Sequence, residues 1–120
     1  MDAMVAAVSP ELNAVEGSNE AFLRDDALLV VTFITDEAGN DTGKPKDWYD
    51  AVVAAKKGNV DAVVVIGFIA GGPNSEHGKF ISLWGDKGFH GQANESDYSE
   101  QFASALSIID EACDDFEPPE

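Results

Sequence analysis

The chain has 120 residues, enough for one small core and too few for two. Hydrophobic residues make up 44% and charged residues 25%, as in ordinary folded domains, so disorder is expected only at the ends. Asp and Glu number 23 against 7 Lys and Arg, and the formal charge of -16 argues against nucleic acid and anionic lipid as partners.

Three readings of this acidity stay open: divalent-cation binding, a basic partner, or a saline setting that screens self-repulsion. The last is the plainest, since charge runs are usually solvated surface. Cys113 is the only cysteine, which excludes an internal disulfide and a cysteine-built zinc site. Residues 1–8 contain Asp2 and no basic residue, unlike a signal peptide. No apolar run reaches the roughly 20 residues of a membrane helix, so no membrane insertion is expected.

In chain order, Met4, Val5 and Val8 lie at helical spacing, and Pro10 breaks that helix before a loop over 13–19. Residues 27–35 form a continuous apolar run rich in β-branched side chains, the pattern of a parallel strand covered on both faces. A polar loop over 36–43 follows, with Gly39 and Gly43. Pro45 and Asp47 then open a helix, Asp47 being the expected N-cap, and Lys56, Lys57 and Gly58 close it. Its inner face is expected to be Trp48, Val52 and Ala55.

Residues 61–69 make a second buried strand that leaves through Gly71 and Gly72. A short helix from near Ser75 to Gly85 presents Phe80, Ile81 and Trp84. Residues 88–91 are either a short third strand or a turn, because two glycines in four weaken the strand pattern. The last helix opens on Asp97 and Glu100 as a capping pair and places Phe102, Ala105, Leu106, Ile109, Ala112 and Cys113 on one stripe. Cys113 is accordingly expected to be buried and inert.

Two strands joined by such a helix form a right-handed βαβ unit with the strands parallel. The expected fold is therefore α/β: a partial Rossmann-like three-layer α/β/α arrangement with a short, mostly parallel sheet, a βαβ core and flanking helices. The chain divides into an N-terminal helix and loop over 1–19, the α/β unit over 20–116 and an acidic tail over 117–120.

The segment from Phe22 through Asp25, Asp26 and Val31 into Thr35-Asp36-Glu37 resembles von Willebrand factor type A domains of bacterial envelope-associated proteins. The resemblance continues through Asp47-Trp48-Tyr49-Asp50-Ala51-Val52, residues 62–68 and the final helix with Ile109-Asp110-Glu111-Ala112-Cys113. It implies the C-terminal half of that α/β fold, a non-enzymatic protein-binding role and an envelope or extracellular setting.

In that family a strand ending in Asp-x-Ser-x-Ser supplies most ligands of a metal-ion-dependent adhesion site. This sequence has no such segment. The resemblance carries over only Asp36, with Glu37 standing where the family usually has glycine. It also implies that the strand over 27–35 is central, with a neighbour on each side. Here one neighbour is missing, so the apolar edge is expected to pair with a protein partner or with another copy in a homo-oligomer. The resemblance also implies a disulfide between a cysteine at the place of Cys113 and one near 91–94, where Gln92, Ala93 and Asn94 offer no thiol.

Mg²⁺ needs near-octahedral oxygen coordination, which one carboxylate does not provide. If Glu37 and Asp41 fold back beside Asp36, the loop at the C-terminal end of the strand makes a weak, incomplete site for Mg²⁺ or Ca²⁺. The plainer reading of these acids is a capped, solvated loop. His77 and His90 sit on different elements without ligand-spaced carboxylates, and residues 67–72 lack the Lys and Ser/Thr of a phosphate loop. A receiver-like signalling domain needs a second acid and a strand-end lysine that are not found. A structural remnant without ligand is a third reading.

Overall fold

The computed structural model describes residues 1–37 and 39–120. Ala38, part of the expected loop after the first strand, lies outside the described residues. The first apolar run forms β1, Leu29–Thr35. The second forms β2, Val63–Ile69, with a single 3-10 turn over Val60–Ala62 where the sequence suggested that the strand had begun.

The two strands are parallel and in register from Leu29 opposite Val63 to Thr35 opposite Ile69. The glycine-containing segment is a true strand, β3, Gly88–Gln92, parallel to β2 with Val65 opposite Gly88. The sheet order is β1-β2-β3, so β2 is central and β1 is an edge. The architecture is the expected α/β class, a three-stranded parallel sheet between helical layers.

All seven residues of β2 are buried, and they alternate between two cores. Val63, Val65 and Ile69 face a layer made by α1 (Asp2–Ala7), α3 (Pro45–Ala55) and α4 (Glu76–Ser82), where Trp48, Val52, Phe80, Ile81 and Trp84 pack. Val64, Ile66 and Phe68 face α5 (Ser99–Asp115), which contributes Ala105 and Ala112. A short helix, α2 (Pro10–Asn13), follows α1 after the break at Pro10.

Helix α3 starts three residues earlier in its capping scheme than expected. Lys44 is the N-cap, Pro45 occupies the first turn, and Asp47 accepts a hydrogen bond from the Lys44 backbone N–H at 2.8 Å. A proline in the first turn costs no helical bond, because that N–H has no partner inside the helix. The helix stops where Lys57 and Gly58 turn left-handed, at φ 53° and 88°, and the Gly58 N–H reaches back to Val53 O. Trp48 and Val52 are buried as expected, whereas Ala55 is half-buried.

Helix α5 corrects the sequence reading in three ways. It begins at Ser99 with Tyr98 as N-cap, while Asp97 accepts from the Ser99 N–H and hydroxyl. Phe102 is 46% exposed and Leu106 57% exposed, although both were expected in the core. Cys113 is exposed as well. The physical reason is width: α5 is apolar over a broad stripe, and the sheet beneath it covers only part of that stripe.

Candidate functional site

Two places carry unusual chemistry: the loop at the C-terminal end of β1, and the open flank of β1 itself. At the first, Glu37 and Asp41 of the expected metal-site residues border one cleft. Asp36 and Glu37 are exposed just beyond the strand, and Thr35 Oγ1 donates to Glu37 O at 2.8 Å. Asp41 is half-buried, with one oxygen 3.0 Å from His77 Nε2 and the other accepting from the α-amino group of Met1. Among the described residues, no group of three or more His, Cys, Asp or Glu side chains comes together in a way that could hold a metal ion.

The hydrogen bond from the Met1 α-amino group is the largest influence on Asp41. With His77 and the Asp2 N–H, it overcomes the cost of burial and holds the carboxyl at about 2, against an ordinary 3.8. His77 is 8% exposed and stacks on Trp48, with ring centroids 5.8 Å apart and planes 27° from parallel. Trp48 Nε1 donates to Thr42 O at 2.8 Å, which anchors the same loop to α3. Between these groups lies a cleft of about 190 Å³, bordered by Thr35, Lys44, Trp48, Ser75 and His77.

A carboxylate–imidazole pair can hold or pass a proton, and here it also ties residues 39–43 to α4. His90 lies apart from this pair, 3.2 Å from Gly71 O. Sequence reasoning singled out both Asp41 and His77 but did not join them. Their separation of 36 residues gives no periodic signal.

The second place follows from the topology. On the α5 side of the sheet, Val30 pairs in register with Val64 and Ile34 with Phe68, so the four share a face. Val64 and Phe68 are fully buried, whereas Ile34 is 64% exposed and Val30 is also exposed. Helix α5 covers β2 and β3 but leaves β1 bare, and its own Phe102 and Leu106 are among the exposed apolar residues.

On the other side, α1 packs Met1, Met4 and Val5 against the core that includes Val31. A groove of about 560 Å³ follows β1 over its whole length, with Met4 and Ala7 of α1, Val8 just after that helix, and Phe22 among its walls. Asp2 fixes one end of α1 by accepting from the Thr42 N–H at 2.8 Å and its hydroxyl at 3.1 Å. Beyond the other end, the side-chain amides of Asn13 and Asn19 both donate to Ala7 O.

Lys56 secures the start of β1. It is buried, and its ammonium donates to Arg24 O at 2.5 Å and Ala27 O at 2.6 Å, while burial lowers its pKa. Among the described residues, no helix is long and apolar enough to cross a membrane. Compared with known proteins, the chain matches no family model, no curated protein and no solved structure.

Proposed function

We propose that the chain is a protein-binding module, without catalytic chemistry of its own, that takes its partner along the open flank of the sheet. The observation behind this reading is β1, a seven-residue apolar strand paired on one side only, with Val30 and Ile34 uncovered on its α5 face. An open edge presents a row of unpaired backbone donors and acceptors, which is a template for another chain. Burying an exposed Ile or Leu side chain contributes about 1.5–3 kcal/mol. Covering Ile34 and Leu106 together thus supplies a useful share of a binding energy.

The resemblance read in the sequence over residues 22–116 to von Willebrand factor type A domains supports the same proposal, because that family binds proteins. A cation has no necessary part in this reading: Asp41 is engaged by His77 and the α-amino group. Replacing Ile34 or Leu106 by a photoreactive residue, followed by irradiation in cells that make the chain, tests the proposal. Discrete protein adducts are expected from both positions and none from Lys79, an exposed residue on the opposite layer. Equal labelling from all three positions, or none from position 34, rejects it.

A further inference from the structure

We infer that the partner enters as an extended segment, adding a fourth strand beside β1, with an apolar middle and Lys or Arg at its ends. This rests on the binding role proposed above and specifies what is bound. The groove runs along Leu29 to Thr35 and is walled by α1. A strand fits about 4.8 Å from its neighbour, whereas a helix with its side chains needs about 10 Å or more. A helix also satisfies its own backbone, so only another strand pairs the outward N–H and C=O groups of β1 in sequence.

Alternation then divides the side chains of the incoming strand. One set enters between α1 and the β1 edge, and the other lies beside Val30 and Ile34 on the α5 face. Apolar side chains suit the first set, and β-branched Val or Thr the second, which lies on the face open to water.

Charge selects the kind of segment. After Lys87 the chain has no Lys or Arg and nine Asp or Glu residues, and this stretch includes all of α5, the helix bordering the bare face. Asp36 and Glu37 stand exposed at the C-terminal end of β1. Arg24 and Lys57 lie near the other end, but Lys57 is already paired with Asp25. The helix beside the bare face and the exit of the strand thus both carry exposed acids, which favours a basic segment. A second copy would bring another formal charge of -16 against the first, which disfavours self-pairing through this edge.

The test uses the full chain and two labelled peptides, Lys-Lys-Val-Thr-Val-Thr-Val-Lys-Lys and the same middle flanked by Glu. Fluorescence anisotropy measures binding at low and high salt, and amide hydrogen exchange locates it. At low salt the Lys-flanked peptide is expected to bind at least about tenfold tighter than the Glu-flanked one, a gap that narrows with salt. Binding should slow exchange of β1 amides at least about tenfold. Ile34→Lys and Val30→Lys, both at exposed positions, should weaken binding by about tenfold while leaving the melting temperature unchanged.

Binding with β1 amides exchanging as in the free chain, and protection elsewhere, overturns the added-strand inference but leaves the binding role standing. Equal affinity for the two peptides, or no binding of either, also overturns it. So does light scattering that shows a dimer whose β1 amides are already protected, since a second copy then fills the edge. Loss of the broader reading is seen separately, as an absence of adducts from position 34.

Discussion

The two flanks of the sheet solve the same problem in different ways. The β3 flank is short, and the Gln101 side chain takes up the backbone of its last residue, accepting from the Gln92 N–H at 2.5 Å and donating to Gln92 O at 3.2 Å. The β1 flank is seven residues long, lined by a groove and bare on one face. Short edge strands and covered backbone are ordinary protections against unwanted pairing. Their presence at β3 and lack at β1 teach that openness here is local to one strand and does not follow from a small sheet.

The sharpest way to probe this difference uses one register pair. Ile34 and Phe68 lie opposite each other on the same face, one largely exposed and the other fully buried. Phe68→Ala is expected to cost about 3–5 kcal/mol in urea unfolding, and Ile34→Ala no more than about 0.5 kcal/mol. A large loss at Ile34 would mean that the β1 face is covered in solution.

Gly78→Ala comes next and tests how tightly the helical layer of the closed side is packed. Helix propensity alone favours alanine by about 1 kcal/mol. A Cβ at Gly78, however, would stand 2.4 Å from Gly72 O and 2.7 Å from Pro73 Cα, both backbone atoms. Close approach should win and give a net loss of about 1–3 kcal/mol; a stabilised variant would show that the loop over 71–74 yields easily.

Asp41 belongs to the β1 flank, where it borders the groove. Its folded pKa, about 2, lies below the ordinary 3.8, so its contribution is present above pH 3.8 and is lost as pH falls toward 2. Thermal melts over that window should show a decline worth about 1–2 kcal/mol, reduced in Asp41→Asn. An identical acid profile in the variant would remove Asp41 as its cause. The smallest effect concerns cations: millimolar Mg²⁺ or Ca²⁺ should leave the melting temperature and the Trp48 emission unchanged, and a clear rise would bring Asp36 and Glu37 back as ligands.

Much of the frame was legible because β-branched runs and helix boundaries are local signals. The runs containing Val31 and Val65 announced parallel strands, and Pro45 and Gly58 bracketed α3. The same signal misled about cover. Both runs read as buried strands, yet only β2 is enclosed; Thr32, exposed on the bare face of β1, was the one residue that hinted at it, and the rest depends on which helices cover the sheet.

The glycines that obscured β3 are places where neighbours press close: a Cβ at Gly88 would meet Ile81 O at 2.4 Å, and one at Gly91 would meet Phe68 Cδ1 at 2.6 Å. In α5, periodicity gave the apolar stripe but not how much of it the sheet would reach, so Phe102, Leu106 and Cys113 were assigned inward. The Asp41–His77 pair was invisible for a different reason, since only the folded crossover brings those positions together.

Lys56 has a consequence beyond its two hydrogen bonds. By holding the carbonyls of Arg24 and Ala27, it stakes the segment before β1, while Asp2 stakes α1 at Thr42. The groove wall is thus built before any visitor arrives. The entropy of ordering on association falls on the incoming chain alone, so stiffening that chain, by cyclisation or a β-turn at its end, should tighten the complex more than any change to the receiving surface.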